Sequence, residues 1–250
     1  PDARGHSRGL CRNRQSRCKK CGLPCRTNHG HCRLRSRGPA DASTRNRRPG
    51  RPRQEPSTSG IAGIDKRLTR NLPAAVECLK RGGVIAYPTE YCFGLGCDPT
   101  NESAVRRILT MKRRPWQQGL IVIADRPERL QGIIDGHRPE FMAPALASWP
   151  GPYTWLLPAT AQVAPWLKGR HPTIAVRVTA FPLARQLSRD SRMPLVSTSA
   201  NRSGRPPLRE GRAVLAEFGE AIDLILDERV GTATEPSTIT DAATRVTLRG

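Results

Sequence analysis

Every phenylalanine, tryptophan and tyrosine of this 250-residue chain lies beyond residue 60, and no other feature limits its folding options as much. Residues 1–60 contain 11 members of the apolar set, five of them cysteine. They also carry 16 basic against 3 acidic side chains, so most of the formal charge of +21 sits there. A segment with so little apolar surface and so much like charge cannot offset its chain entropy by burial. The expectation is a disordered, basic, Cys/Arg/Pro-rich tail over 1–60 and one folded unit over 61–250, where 190 residues suffice for a core.

The run Arg45-Asn46-Arg47-Arg48-Pro49-Gly50-Arg51-Pro52-Arg53 supports a tail, because like charges repel and proline opposes helix. Three readings of this segment stand side by side. It could hold RNA through phosphate contacts. It could be translated sequence upstream of the native start, since GC-rich DNA yields Arg, Pro, Gly, Ser and Cys. Or Cys18, Cys21, Cys25 and Cys32, with His29 and His31 nearby, could bind zinc. The spacing is poor for zinc: only six residues separate Cys25 from Cys32, and none is a hydrophobic anchor.

No run of eighteen apolar residues occurs, and Pro1-Asp2-Ala3-Arg4 lacks the apolar stretch of a leader. A cytoplasmic protein without a membrane segment is expected. Cys78, Cys92 and Cys97 fall within segments that read as regular structure, and nothing demands an oxidising compartment.

Beyond residue 60 the pattern alternates between helix and strand. Leu68, Leu72, Val76 and Leu79 share one helical face, ended by Gly82-Gly83. Val84 to Tyr87 reads as a buried strand, Thr89 to Pro99 as a loop, Asn101 to Lys112 as a helix, and Leu120 to Ala124 as a second buried strand. Strands are expected at 154–157, 173–178, 195–199, 222–226 and 237–240, with helices near 181–190 and 209–218. The rhythm predicts an α/β domain with a largely parallel or mixed sheet covered by helices.

Standard nucleotide signatures are missing: there is no phosphate-binding G-x-x-x-x-G-K-[ST], and Gly94-Leu95-Gly96 runs into Cys97-Asp98-Pro99. His137 and His171 are isolated, so no metal site formed by protein ligands is expected in the domain. Three polar clusters lie at predicted element ends, where open α/β sheets bind ligands. They are Pro88-Thr89-Glu90, Lys112-Arg113-Arg114-Pro115, and Ser197 to Gly204. Taken singly, the second reads equally as cations pairing with a helix dipole, and the third as an ordinary polar turn.

These clusters recur in a longer ordered series. It comprises Ala86-Tyr87-Pro88-Thr89-Glu90, Phe93-Gly94-Leu95-Gly96-Cys97-Asp98-Pro99, K-x-R at Lys112 and Arg114, and Trp149-Pro150-Gly151-Pro152. Ala175-Val176-Arg177-Val178, S-x-N at Ser199 and Asn201, Pro236-Ser237-Thr238-Ile239 with Asp241, and Leu248-Arg249-Gly250 complete it. The series resembles the YrdC/TsaC family, bacterial threonylcarbamoyl-AMP synthases, in its single-domain form, and the resemblance covers residues 65–250. It implies a YrdC-like twisted mixed sheet flanked by helices, with a basic concave cleft.

The resemblance also implies a reaction: L-threonine, bicarbonate or CO2, and ATP with Mg2+ give threonylcarbamoyl-AMP and pyrophosphate. The amine captures CO2 and the carbamate oxygen attacks the α-phosphate, a displacement that depends on alignment and charge neutralisation. It implies that Lys112 and Arg114 hold phosphate and carboxylate charge, and that Ser197, Ser199, Asn201 and Arg249 bind the nucleotide. Thr89, Arg177, Ser237 and Thr238 would bind threonine or neighbouring phosphates. The implied partners are proteins that place threonylcarbamoyl on the adenosine beside the tRNA anticodon, with direct RNA contact optional. Two positions depart from the family pattern: Gln118 replaces a usual lysine and Phe181 a usual histidine, while Arg113 and Arg170 remain to keep the cleft basic.

A second class of function competes. The charge would equally suit a non-catalytic protein that binds double-stranded RNA or matures ribosomes. Only 4% of the chain is aromatic and the tail has no aromatic residue, which disfavours single-strand recognition by stacking.

Overall fold

The computed structural model describes residues 65–249. The expectations for the tail, including zinc at Cys18, Cys21, Cys25 and Cys32, lie outside the described residues, as does Gly250. Within them, strand β1 (Leu68–Thr69) precedes helix α1 (Leu72–Lys80). The apolar spacing predicts a helix reaching back to Leu68, but Leu68 instead pairs with Ile225 in a parallel ladder. The cause is local. Asn71 accepts the Ala74 N–H at 3.1 Å as an N-cap, and proline occupies the first turn, where its missing N–H has no intrahelical partner to lose.

The chain continues through β2 (Ile85–Pro88), β3 (Phe93–Gly96), α2 (Glu102–Lys112) and β4 (Ile121–Ala124). It then forms α3 (Pro139–Ser148), β5 (Tyr153–Pro158), α4 (Pro165–Lys168), β6 (Thr173–Val178), α5 (Pro182–Ser191) and β7 (Leu195–Ser199). Helix α6 (Gly211–Phe218) and strands β8 (Leu224–Leu226), β9 (Thr238–Asp241) and β10 (Thr247–Arg249) complete it. No described helix is long and apolar enough to cross a membrane.

The strands make one mixed ten-stranded sheet in the order β1-β8-β2-β3-β7-β4-β6-β5-β9-β10. Strand β3 lies inside the stretch expected to be a loop. Its two glycines suppress the strand signal, yet it is fully buried and runs antiparallel to both β2 and β7. Gly96 admits the Tyr87 ring: a Cβ there would stand 2.7 Å from Tyr87 Cε1 and 3.0 Å from the Val196 carbonyl.

Strand parity divides the core into two layers. Ile85, Tyr87, Ile123, Leu195 and Leu226 pack with Ala75, Leu79, Ala184 and Leu187 of α1 and α5. Ala86, Val122, Val176, Val196 and Ile225 face the opposite way, onto residues of α2, α3, α4 and α6 such as Ile108, Ala145, Leu167 and Val214. Helices α1 and α5 cover only part of their face, and the remainder is open.

Candidate active site

That open part is a cleft of about 1040 Å³. Its floor is one register-aligned row: Ser197 of β7 lies opposite Ile121 of β4, which faces Ala175 of β6, then Leu156 of β5, then Asp241 of β9. On β6 the neighbours of Ala175 and Arg177 enter the core, so alternation sends these two into the cleft. Five Lys or Arg side chains line it (Lys112, Arg114, Lys168, Arg177, Arg249) against the carboxylates of Glu90, Glu235 and Asp241. Two of those carboxylates are engaged: Asp241 accepts the N–H groups of Ala243 and Thr244 at 2.8 and 2.9 Å, and Glu90 pairs with Arg177. Among the described residues no group of three or more His, Cys, Asp or Glu side chains is placed to hold a metal.

One wall joins the end of α2 to the loop after β7. Helix α2 stops where Arg113 takes a left-handed conformation (φ 50°). The Lys112 carbonyl accepts the Ser203 N–H at 3.0 Å. Its ammonium, buried at 3% residue exposure, donates to the Ser199 carbonyl, to the Asn201 carbonyl at 2.9 Å and to Asn201 Oδ1 at 3.1 Å. Those bonds use all three donors of the ammonium. Asn201 is equally occupied: Ser199 Oγ donates to its Oδ1 at 2.7 Å, and its Nδ2 donates to the Arg205 carbonyl. Burial, reinforced by the charge of Arg114, pushes the Lys112 ammonium down to about 8. Arg114 donates through Nε and Nη2 to the Gly119 carbonyl at 3.2 and 3.0 Å, which orients it beside Lys112.

The facing wall comes from the C-terminal strands. Arg249 donates to the Ser237 carbonyl at 3.0 and 2.9 Å and to Ser237 Oγ at 3.2 Å, and Ser237 Oγ lies 3.0 Å from Thr154 Oγ1. Ser237 and Ile239 line the cleft; Thr238, between them, is not among the lining residues.

At the top of the β2–β3 hairpin, Thr89 Oγ1 donates to the Cys92 carbonyl at 2.8 Å, closing the turn. Glu90 accepts both terminal nitrogens of Arg177 at 3.2 and 3.3 Å and the Thr179 hydroxyl at 3.0 Å. Deeper in, the Tyr87 hydroxyl donates to Ser197 Oγ at 2.8 Å.

Thus Thr89, Lys112, Arg114, Arg177, Ser197, Ser199, Asn201, Ser237 and Arg249, dispersed over 161 positions of chain, line one cleft, and Thr238 is the exception. Gln118 lines it as well, whereas Phe181 packs against the α1/α5 core layer. His171 and Lys168, which belong to no motif, also border it. The Glu90–Arg177 and Tyr87–Ser197 pairs were not legible in the sequence, since each joins residues of different strands or loops brought together by the sheet.

Residues 77–249 match the family model for Sua5, YciO and YrdC, described as Telomere recombination. The chain is 44% identical over 181 residues to the threonylcarbamoyl-AMP synthase of Coxiella burnetii (strain RSA 493), covering 72% of this chain and 97% of that protein. Its identity to the threonylcarbamoyl-AMP synthase of Methylobacillus flagellatus is 50% over 171 residues, or 68% of this chain and 94% of that one. Among solved structures, P. abyssi Sua5 complexed with L-threonine superposes with a TM-score of 0.64 at 32% identity, over 68% of this chain and 50% of that chain. E. coli YciO superposes with a TM-score of 0.61 at 27% identity, over 71% and 87% of the two chains. The chain therefore spans about half the length of the P. abyssi protein and nearly all of the curated relatives.

Proposed function

The chain belongs to the Sua5/YciO/YrdC family, and from that premise we propose that it is a threonylcarbamoyl-AMP synthase. It would join L-threonine, bicarbonate or CO2, and ATP as its Mg2+ complex, into threonylcarbamoyl-AMP and pyrophosphate. The observation that carries this reading is the convergence of K-x-R, S-x-N, Arg177, Ser237 and Arg249 on one cleft with an excess of cations.

The chemistry fits a site without a protein nucleophile. Burial pushes the Cys92 thiol, which borders the cleft, up to about 11, so it stays protonated at neutral pH. The Ser197 and Ser199 hydroxyls are bonded to Tyr87 and Asn201 rather than to a base. What the cleft offers is fixed charge and fixed donors, the requirements of an in-line displacement at phosphorus by a carbamate oxygen. Arg114 and Arg249 on opposite walls would neutralise the triphosphate, with Lys112 adding charge behind the S-x-N loop. Ser197, Ser199 and Asn201 would shape the nucleotide side. Arg177, with Thr89 and Ser237 nearby, would receive the amino-acid carboxylate.

The product would pass to proteins that place threonylcarbamoyl on tRNA, which makes the cytoplasm the place of action. Direct RNA contact is a separable property, read by whether tRNA binding survives when turnover is abolished. The test is pyrophosphate release from ATP with and without L-threonine and bicarbonate, in the protein and in Lys112→Ala and Asn201→Ala. Dependence on both co-substrates, lost in both variants, is the expected result. ATP left intact under every condition would return the non-catalytic RNA-binding reading to first place.

A further inference from the structure

Glu90 has no part in the reaction just proposed, yet it is one of the most constrained side chains of the cleft. Its partner Arg177 rises from the penultimate position of β6 with 7% of its surface exposed. The two form a fork: Nη1 to Oε1 at 3.2 Å and Nη2 to Oε2 at 3.3 Å. A third donor reaches the same carboxylate, the hydroxyl of fully buried Thr179. An ionised carboxylate only accepts, so the direction of this bond is forced, and the Thr179 oxygen is left to accept the Phe181 N–H at 3.1 Å.

The backbone of Glu90 is held as firmly. The segment 230–237 crosses over it: Gly231 N–H donates to the Thr89 carbonyl at 2.9 Å and Ala233 N–H to the Glu90 carbonyl at 3.1 Å. The approach is so close that a Cβ at Gly231 would stand 2.7 Å from the Glu90 carbonyl oxygen and 2.9 Å from its Cα.

The fork consumes one hydrogen on each terminal nitrogen of Arg177. The other terminal hydrogens remain for a ligand, while Nε is buried without a partner. Pairing also cancels most of the guanidinium's net charge, so what stays attractive is the direction of the donors rather than the charge itself. A guanidinium fork fits carboxylate and phosphate alike, but a triphosphate carries several negative charges and needs net positive charge that the neutralised pair does not offer, whereas a single carboxylate can be held by the directed donors.

We propose that Glu90 is a positioning residue that fixes the Arg177 guanidinium for the carboxylate of the amino-acid substrate and keeps that seat from being taken by a phosphate. The proposal rests on the synthase reading above. Gln at position 90 cannot replace the carboxylate, because in either orientation its NH2 would face a donor nitrogen of Arg177, and Arg177 would be left a bare cation.

The experiment compares KM for L-threonine, KM for ATP, kcat and thermal midpoint in the full chain and in Glu90→Gln, Glu90→Asp and Thr179→Val. The expected result is a rise of about tenfold or more in KM for threonine in both Glu90 variants, while KM for ATP stays within about twofold. Glu90→Asp keeps the charge but withdraws it by one carbon, so its loss separates position from charge. Unchanged kinetics in Glu90→Gln would overturn the proposal, as would equal rises in both KM values with a lowered midpoint, the mark of a purely structural role. If the Glu90 variants do not fold, Thr179→Val decides: a rise confined to threonine supports the proposal, and a uniform change or none overturns it. A full chain with no threonine-dependent turnover removes the synthase reading and this proposal together, whereas an active chain indifferent to Glu90 removes this proposal alone.

Discussion

Lys112 grips Asn201 twice, donating to its backbone carbonyl at 2.9 Å and to its side-chain Oδ1 at 3.1 Å. With the bonds to the Ser199 carbonyl and from Ser203 N–H, the last residue of α2 is tied to the S-x-N loop at four points. Lys112→Met keeps the aliphatic stem and takes a donor from three oxygens, of which the Ser199 carbonyl still accepts Asn201 N–H at 3.0 Å and Asn201 Oδ1 still accepts the Ser199 hydroxyl. Turnover is expected to fall by at least about a hundredfold, and stability by about 1–3 kcal/mol, from the loss of charged hydrogen bonds from a buried ammonium to partly buried acceptors. Pyrophosphate release and urea denaturation measure the two.

The same ammonium predicts a pH response. Below about 8 it is charged and its three donors meet three oxygens; above that value one donor is gone and the loop loosens. Threonine-dependent turnover is expected to decline as pH rises through about 8. Stability moves the other way. Folding lowers this group's pKa below that of the unfolded chain, so between the two values the unfolded state binds more protons and stability rises with pH. Urea titrations at pH 7.5 and 9 should show this gain in the protein and its absence in Lys112→Met.

Tyr87→Phe removes the donor to Ser197 Oγ in a fully buried site. The expected cost is about 0.5–1.5 kcal/mol, the net worth of one neutral hydrogen bond, with a modest loss of turnover because Ser197 lies in the cleft floor. A larger stability loss with unaltered turnover would place this bond in the fold alone.

Gly231→Ala drives a methyl group into the Glu90 backbone. The segment over the hairpin must lift, at a cost of about 1–3 kcal/mol typical of overpacking. Because Glu90 holds Arg177, KM for threonine is expected to rise more than KM for ATP. A crystal structure of the variant should show the hydrogen bond from Gly231 N–H to Thr89 lengthened or lost.

Removal of residues 1–60 is expected to leave threonine-dependent turnover unchanged and to reduce the net charge by 13. The family match begins at residue 77, and among the described residues those that line the cleft all lie beyond residue 88. If RNA binding is lost while turnover persists, the basic segment acts as a separate phosphate-binding arm.

Much of the architecture was readable from local pattern. Helix α2 followed from the spacing of Val105, Ile108 and Leu109, all of which face the core, and β4 and β6 from short apolar runs. Elements whose residues contradict their propensity were unreadable. Strand β3 is half glycine, α3 carries Pro144 within it, and Leu68 follows a helical spacing but joins the sheet. For β3 and Leu68 a tertiary partner outweighs the local preference: the Tyr87 ring against Gly96, and the β8 ladder beside Leu68.

The sequence by itself determined which side chains could carry charge and hydroxyls to an α/β cleft, and in what order along the chain they came. It also confined the core to the part beyond residue 60, because burial needs apolar surface and the first sixty residues have almost none. Only the tertiary structure decided which of those groups meet. Lys112 and Asn201 are 89 positions apart, Glu90 and Arg177 87, and Tyr87 and Ser197 110. Such pairings depend on strand order and register, and a shift of one residue in β6 would turn Arg177 into the core and Val176 into the cleft. Local propensity sets the period of a strand; the packing of the whole sheet sets its phase.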